Sequence, residues 1–308
     1  MVFAVAVILP PVLVRGQSNL FVADWSGEAV DEITPGGSRS TFYQFTPASG
    51  TLDSPEGVAF DGKGDLFVSV DNGTEDSDGA IYKFINNNGV LSTNPTLFAS
   101  GLMSPQGLVF DAAGNLLVAD VGNGGDGANN SVIDKFTPSG TRSTFASGLT
   151  GPIGLAFDSA GDLFASDGNN IDEFTLAGTQ STFATGLGEP YGLAFDSTGN
   201  LYVANFSNST IYKFTPGGTR STFFPAGGPL GPEGPHGLAF NTAGDLFVAS
   251  SSYPYTEVDE ISPGGSLSVF AFGFGGPAFL AFEDIPEPST WAMVAMGAIA
   301  LLSLRRRK

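Results

Sequence analysis

The feature that most restricts the fold of this chain is a sequence unit that recurs along almost its whole length. Five copies of its first part read PEGVAFD, PQGLVFD, PIGLAFD, PYGLAFD and PHGLAFN, at residues 55–61, 105–111, 152–158, 190–196 and 235–241. A degenerate sixth copy, PAFLAFE, covers residues 277–283. Repeats have to be recognised before domains are counted, because a repeat protein of 308 residues can form one unit.

Each complete copy continues through a five-residue turn containing Gly into a second apolar run, which starts at Leu66, Leu116, Leu163, Leu201 or Leu246. Alternation and β-branched residues predict that the two runs form a hairpin. A third motif, such as IDKF at residues 133–136, and a fourth, such as STF at 143–145, complete four strands per unit. Four strands in a repeat of this length are typical of a β-propeller blade.

The two ends of the repeat region complete each other. The second-strand motif LFVAD at residues 20–24 has no first strand before it, whereas residues 277–283 have no second strand after them. We therefore predict that one blade takes its inner strand from the C-terminal end and three strands from the N-terminal end, which hides the sheet edges. The predicted fold is an all-β, six-bladed β-propeller whose ring is closed by N- and C-terminal strands.

The pattern PxGLAFDxxGNLFVAD, followed by a strand with Ile-x-x-Phe, resembles the NHL repeat over nearly all of residues 19–284. The resemblance implies a propeller but no single activity, because propellers of this kind include lyases, relatives of lactonases and pure binding modules.

Both ends of the chain have the character of targeting segments. Residues 2–14 form an apolar run that precedes small residues at a plausible cleavage site, so we predict a signal peptide at residues 1–16, truncated because its basic start is missing. At the other end, Pro286, Glu287 and Pro288 precede an apolar stretch at 291–304 and the basic run 305–308. This order resembles the PEP-CTERM sorting signal of bacteria that have exosortases.

The resemblance implies an exosortase-type processing enzyme as a partner, transient association with the inner membrane and an extracytoplasmic location. The apolar stretch is short against the ~20 residues of a stable transmembrane helix, and the basic run would stay on the cytoplasmic side. We therefore predict a propeller at residues 17–284 and a sorting tail with a short hydrophobic helix at 285–308.

Charge and composition exclude several function classes. The chain has 31 Asp and Glu residues against 12 Lys and Arg residues, and its formal net charge is −19. An acidic surface repels phosphate backbones, so we predict no nucleic-acid partner. The absence of Cys excludes disulfides, thiol catalysis and Cys-bound zinc.

Loop lengths indicate where a site would lie. In a propeller the turns after the first and third strands lie on one face, and the loops after the second and fourth strands lie on the other. The loops after the second and fourth strands vary most in length here, so we place function on their face. The variable residue of each P-x-G motif enters the inner strand at the channel mouth on that face. Those with polar or aromatic side chains are the binding candidates: Glu56, Gln106, Tyr191 and His236.

Lactonases of the gluconolactonase type use comparable positions for three residues that hold a divalent cation, and only Glu56 fits that set. His236 is the only His, which excludes a site built on two His residues and leaves open a purely structural role. Two acidic loops are candidates for Ca²⁺, or else are simply solvated. Their acidic residues are Asp71, Glu75, Asp76, Asp78, Asp120 and Asp126. The Asp residues that end second strands (Asp24, Asp120, Asp167) are expected to accept N–H groups from the turn that follows.

These sequence features are consistent with two candidate functions. The first is a non-catalytic, exported binding or structural module at the cell envelope or in extracellular matrix, with a polysaccharide or a protein as its partner. The alternative is a metal-dependent lactonase, hydrolase or lyase with its site at the channel mouth.

Overall fold

The computed structural model describes residues 18–46, 53–72, 79–122, 131–225, 234–252 and 256–283. Within them, 24 strands form six antiparallel sheets of four strands each. The inner strands contact one another around a ring, so the sheets are the blades of a six-bladed β-propeller and the predicted fold class is confirmed. The predicted signal peptide and the sorting tail lie outside the described residues.

Within each blade, the first strand lies at the channel and the fourth strand lies at the outer rim. Blade 1 contains β24 (Pro277–Phe282), β1 (Leu20–Asp24), β2 (Ala29–Ile33) and β3 (Arg39–Gln44). Blade 2 contains β4 (Ser54–Phe60), β5 (Leu66–Asp71), β6 (Gly79–Phe84) and β7 (Thr96–Leu102). Blade 3 contains β8 (Pro105–Phe110), β9 (Leu116–Asp120), β10 (Val132–Phe136) and β11 (Arg142–Ser147).

The other three blades have the same order. Blade 4 contains β12 (Pro152–Phe157), β13 (Leu163–Asp167), β14 (Asn170–Phe174) and β15 (Gln180–Ala184). Blade 5 contains β16 (Pro190–Phe195), β17 (Leu201–Asn205), β18 (Thr210–Phe214) and β19 (Arg220–Phe224). Blade 6 contains β20 (Pro235–Phe240), β21 (Leu246–Ser250), β22 (Glu257–Ile261) and β23 (Leu267–Phe272). No helix in the described part of the chain has the length and apolar character needed to cross a membrane.

Ring closure follows the predicted scheme. Strand β24 pairs antiparallel with β1, and Leu20 lies opposite Phe282. Just beyond that pair, Glu283 N–H donates to the carbonyl of Asn19 at 2.9 Å. In blade 2 the equivalent bond closes the turn between first and second strands, from Asp61 N–H to the carbonyl of Asp65 at 3.0 Å. Blade 1 therefore has its two chain ends where the other blades have a hairpin turn.

The turns between first and second strands explain the constant spacing of the repeat within this chain. In blade 2, Oδ1 of Asp61 accepts the N–H groups of Lys63 and Asp65 at 2.9 and 3.0 Å. Gly64 has a φ of 81°, which Gly adopts without the Cβ clash of other residues. Equivalent Asx turns begin at Asp111, Asp158, Asp196 and Asn241. Each Asx residue thus fixes a hairpin.

The Phe residues of the repeat bind neighbouring blades together. Phe67 on the second strand of blade 2 makes edge-to-face contacts with Phe98 of the same blade and Phe110 of blade 3, with centroids 5.1 and 5.0 Å apart. Such pairs add to the burial of apolar area. Four more triplets repeat this arrangement around the ring: Phe21 with Phe42 and Phe60, Phe164 with Phe183 and Phe195, Tyr202 with Phe223 and Phe240, and Phe247 with Phe270 and Phe282.

The inner strands approach so closely that the Gly of the P-x-G motif is required. A Cβ on Gly57 would lie less than 3.0 Å from the carbonyl oxygen of Gln106 in the next blade. The same is true of Gly107, Gly154, Gly192 and Gly237 against their neighbours. In blade 1 this position holds Phe279, whose side chain is half-buried. The degenerate repeat therefore places an aromatic ring where the other blades have none.

Two buried hydroxyls join inner strands of adjacent blades. Ser69 Oγ accepts the N–H of Gly57 at 2.7 Å and donates to the carbonyl of Gln106 at 2.7 Å. Ser166 makes the equivalent pair of bonds between blades 4 and 5. Because each hydroxyl is both donor and acceptor, it satisfies two buried backbone groups at once.

The Asp residues that end second strands are structural, but their donors differ from the prediction. Asp24 accepts the N–H groups of Gly275 and Gly276, at 2.8 and 2.6 Å, from the loop that leads into its own blade. Asp120 and Asp167 do the same with the loops before blades 3 and 4. Only weaker or single contacts reach the turn that follows. The preceding loop lies beside the strand end in space although it is distant in sequence.

Blade 6 departs from a polar pattern that other blades share. In blade 1, buried Asp31 on the third strand is bound by Arg39, with its Nε at 2.9 Å and Nη2 at 2.7 Å, and by Thr41 Oγ1 at 3.1 Å. Arg142 binds Asp134 in blade 3, and Gln180 binds Asp172 in blade 4. These contacts neutralise or hydrogen-bond a carboxylate that has little exposure to water.

In blade 6 the strand register places Leu267 and Val269 where Arg39 and Thr41 stand in blade 1. Asp259 is 1% exposed and accepts one hydrogen bond, from Ser250 Oγ at 2.7 Å. Its Oδ1 has no hydrogen-bond partner among the described residues. Burial, and to a lesser extent the charge of Glu257, raises the pKa of Asp259 to about 7.

Candidate functional site

The candidate site lies on the face formed by the loops after the second and fourth strands, which we call the mouth face. The opposite face, formed by the short turns after the first and third strands, is the turn face. Grooves between blades occur on the turn face, including one of about 420 Å³ lined by Phe110, Phe157 and Leu176. These grooves lie on the face opposite the channel mouth.

The structure places the four predicted mouth residues at equivalent positions. Glu56, Gln106, Tyr191 and His236 are each the middle residue of the P-x-G segment, in β4, β8, β16 and β20. All four side chains are half-buried. They are therefore partly accessible from the channel.

Three of the inner-strand side chains meet in an aromatic cluster, and a fourth ring completes it. We define this cluster as Tyr191, Phe206, His236 and Phe279. Tyr191 stacks on Phe206 with centroids 4.9 Å apart and lies 4.5 Å from the His236 ring. Phe279 contacts His236 edge-on at 5.4 Å. The cluster extends over blades 5, 6 and 1 and forms an apolar wall on one side of the mouth.

Phe206 reaches the cluster because two loops of blade 5 are bound together. It begins a short 3-10 turn, Phe206–Asn208, that follows β17 and ends at Ser209 with a φ of 51°. Phe206 N–H donates to the carbonyl of Glu189 at 3.0 Å, and Ser207 Oγ donates to the Glu189 carboxylate at 2.5 Å. Glu189 itself has a φ of 53°, a left-handed conformation that is strained for a residue other than Gly. The loops before and after the inner hairpin are thereby held in one arrangement.

His236 is neutral at physiological pH. Burial lowers its pKa to about 4, because the charged imidazolium would lose its hydration among aromatic rings. Its Nδ1 is buried and has no hydrogen-bond partner among the described residues. The ring therefore packs as an aromatic surface and keeps an unused polar atom.

The opposite side of the mouth is acidic. Burial raises the pKa of Glu56 to about 8, and the negative charge of Asp71 adds to the effect. The pKa of the Tyr191 phenol is also raised, first by burial and then by the charges of Glu189 and Glu56. Glu56 and Tyr191 hold equivalent positions in the inner strands β4 and β16, so the acidic side and the aromatic cluster border the same channel mouth.

Gln106 lies between the acidic side and the rest of the ring. Its Nε2 donates to Ser104 Oγ at 3.4 Å, and Ser104 Oγ in turn donates to the carboxylate of Asp71 at 2.7 Å. This chain links the inner strand of blade 3 to the second-strand end of blade 2. The hydrogen bonds through Ser104 therefore help to hold Gln106 and Asp71 in position.

The proposed calcium residues are only partly within the described chain. Glu75, Asp76, Asp78 and Asp126 lie outside the described residues. Asp71 binds Ser104, and Asp120, which is 2% exposed, accepts backbone N–H groups from Met103 and Ser104 and lies 3.4 Å from Arg142. Among the described residues, no three or more His, Asp or Glu side chains form a group that could hold a metal ion.

Two site residues escaped the sequence analysis. Phe279 occupies the Gly position of the degenerate repeat, and that departure from the motif was a visible signal. Phe206 follows a second strand, in a loop whose fold depends on Glu189, so no local pattern marked it. Ile153 and Ala278 hold the two remaining equivalent positions of the ring with apolar side chains.

Comparison with known proteins supports the predicted export of the chain and its predicted fold. Residues 284–308 match the PEP-CTERM protein-sorting motif, so the chain carries the sorting signal that was predicted from Pro286, Glu287 and Pro288. That motif is a bacterial signal for extracytoplasmic export. No curated protein matches the chain in sequence.

Several solved structures share the fold. A chain of the nidogen/laminin complex is 17% identical, with a TM-score of 0.69 over 86% of this chain and 98% of that chain. A virginiamycin B lyase from Staphylococcus aureus with quinupristin is 15% identical, with a TM-score of 0.58 over 88% and 94%. A gluconolactonase from Xanthomonas campestris is 19% identical, with a TM-score of 0.59 over 75% and 79%. At these identities the likeness shows the fold alone.

Proposed function

We propose that this chain is an exported, non-catalytic β-propeller that acts as a binding module at the cell envelope or in extracellular matrix, with its ligand held at the channel mouth. The aromatic cluster is the observation that carries this proposal. Ligand sites are concave surfaces lined by aromatic side chains with a few polar groups that fix orientation. Tyr191, Phe206 and Phe279 supply the first part, and Glu56 and Gln106 supply the second.

The position of the cluster favours recognition over a purely structural role. Propellers hold their blades together with rings buried between sheets, as Phe67 and its equivalents do here. The cluster at the mouth lies instead on the variable loop face, and its rings are half-buried rather than fully buried. Rigid scaffolds carry binding residues on such loops. A polysaccharide or a protein segment entering the mouth would meet this wall first.

The experiment is a glycan-array and peptide-array screen with the full chain and its Tyr191→Ala variant. We expect ligands that bind the parent chain to lose about tenfold or more in affinity with the variant, since an anchor ring is removed. Phe272→Ala is the matched control, because Phe272 is an exposed ring (78%) on the outermost strand of blade 6. Equal losses from both variants would contradict a site at the mouth.

For sorting, the proposal includes an exosortase-type enzyme that processes the chain near the Pro286 motif after transient retention in the inner membrane. The sorting match supports this route. Deleting residues 286–308 should shift the protein between the cell-associated and the secreted fractions. Unchanged fractionation would remove the basis for this part of the proposal.

The alternative, a metal-dependent lactonase or hydrolase, is favoured by one observation. Glu56 is the mouth residue that fits the cation-binding set implied by the resemblance to gluconolactonase-like propellers, and a gluconolactonase shares the fold. Metal analysis of the purified full chain decides between the two. A stoichiometric ion that is lost in Glu56→Ala would favour the enzyme, whereas the same metal content in both proteins would count against it.

A further inference from the structure

The mouth combines negative charge with aromatic surface in a way that restricts its ligand. Burial and the negative charge of Asp71 raise the pKa of Glu56, and burial and the charges of Glu189 and Glu56 raise the pKa of Tyr191. No Lys or Arg of the described residues contributes to either shift. Asp71, Glu189 and Glu56 thus give this side of the mouth an acidic character, which favours a cationic ligand.

Aromatic rings beside a carboxylate favour an organic cation. A ring face attracts an ammonium group through its quadrupole, and the attraction grows when the cation is shielded from water. Tyr191, Phe206 and Phe279 supply such rings within the mouth, and Glu56 supplies a carboxyl group that gains the opposite charge when a bound cation favours its ionised form. A ligand with hydrocarbon next to its cation would fill both sides of the mouth.

An inorganic cation fits this arrangement less well. Ca²⁺ takes six to eight oxygen ligands, whereas no group of three acidic or His side chains is assembled in the described part of the chain. An ammonium group has three N–H donors and needs only a few acceptors. Glu56 is one acceptor at the mouth, and the unpartnered Nδ1 of neutral His236 lies in the aromatic cluster.

We infer that the channel mouth selects ligands that carry a primary ammonium group, from a deacetylated amino sugar or from a lysine side chain. This inference rests on the proposed function and names the chemistry of its ligand. The shared chemistry is the cation with its adjoining hydrocarbon. The source, a polysaccharide or a peptide, is distinguished by the probes below.

Proton release gives the inference a signature that binding alone does not. Burial and Asp71 keep most Glu56 side chains protonated at pH 7, because the pKa of Glu56 is about 8. A cation bound beside Glu56 favours the ionised form and expels the proton. The other titratable groups at the mouth are Asp71, Glu189, Tyr191 and His236, and His236 is already neutral at this pH. A neutral ligand does not favour the ionised form of Glu56, so its binding should release no proton.

The test is calorimetric titration of the full chain at pH 7 and physiological ionic strength, in two buffers of different ionisation enthalpy. The probes are a glucosamine oligomer, the N-acetylglucosamine oligomer of the same length, and a lysine oligomer of that length. Binding of either cationic probe about tenfold tighter than the neutral one is the expected result. Proton release to the buffer is expected with the lysine oligomer, whose amines are fully protonated at pH 7. The variant Glu56→Gln should abolish both the preference and the proton release.

Glu173→Gln is the matched control, because it removes one negative charge from a half-buried Glu on the third strand of blade 4. If Glu173→Gln weakens the cationic probes as much as Glu56→Gln does, attraction to the acidic chain as a whole explains the binding and the inference fails. If the neutral oligomer binds as tightly and Tyr191→Ala weakens it, the mouth is a neutral-glycan site: the inference fails while the proposed function stands. If mouth variants leave every probe unaffected, both fail.

Discussion

The buried carboxyl of Asp259 makes the stability of this propeller fall as pH rises. The carboxyl has a pKa of about 7 in the folded chain, against an ordinary 3.8, because it is buried; the charge of Glu257 adds to the effect, and the hydrogen bond from Ser250 offsets only part of it. A group whose folded pKa is raised stabilises the fold fully below its unfolded pKa. That contribution is lost as pH rises from about 4 to about 7.

The magnitude follows from the size of the shift. Each unit of pKa difference between folded and unfolded chain corresponds to about 1.4 kcal/mol. The shift of Asp259 therefore corresponds to roughly 4 kcal/mol of unfolding free energy between acid and pH 8. Asp259→Asn keeps the shape and the acceptor for Ser250 Oγ but cannot ionise. Its stability relative to the parent chain should rise by about that amount between pH 4 and pH 8.

The assay is urea unfolding of both proteins at a series of pH values, followed by tryptophan fluorescence or circular dichroism. Taking the difference between the two proteins cancels the titration of other groups, including Glu56. Any constant cost of the amide that replaces Oδ1 appears equally at every pH. A difference that stays the same, within about 1 kcal/mol, from pH 5 to pH 8 would refute the argument.

A second substitution supplies the partner that the other blades have. Leu267→Arg should bind Asp259 as Arg39 binds Asp31, and stabilise the chain at pH 8 by roughly 1.5 to 3 kcal/mol. In the Asp259→Asn background the introduced guanidinium has no carboxylate to bind. There we expect no gain, and an equal gain would show that the substitution acts by another route.

Three further predictions concern the ring and the acidic loops. Asp24→Ala leaves the N–H groups of Gly275 and Gly276 without their acceptor where the ring closes, so the unfolding free energy should fall by roughly 3 kcal/mol in denaturant melts; a loss under about 1 kcal/mol would contradict it. Ser69→Ala should cost roughly 1 to 3 kcal/mol in the same assay, because it removes a buried bridge between blades, whereas exposed Ser40→Ala should change little. If the acidic loops bind Ca²⁺ as proposed, calcium should raise the melting temperature of the parent chain and not that of a variant with Asp76 and Asp78 changed to Asn; an unchanged parent would end that hypothesis.

The repeat made the fold predictable from sequence because each level of the pattern agrees with the others. The hairpin turns are encoded by an Asx residue and a Gly at fixed spacing, as Asp61 and Gly64 illustrate. Ring closure followed from two incomplete units that lack complementary strands. Both inferences use short-range patterns whose geometry is nearly independent of the rest of the chain.

The site was only partly predictable for the same reason. Glu56, Tyr191 and His236 could be placed at the mouth because the P-x-G motif fixes their position. Their state depends on neighbours far away in sequence: Asp71 acts on Glu56, and Phe206 stacks on Tyr191 through loops that meet only in the folded chain. The donors to Asp24 were misassigned for this reason, since Gly275 and Gly276 are 251 and 252 residues distant.

The bond between Glu283 and Asn19 puts both ends of the propeller on the turn face. If the sorting tail after Glu283 anchors the chain in the membrane as proposed, the tether is attached on that face. The channel mouth would then lie on the face opposite the attachment, open to a ligand while the chain is anchored. Release by a processing enzyme would change how far the protein can diffuse, but it would not be needed to uncover the mouth.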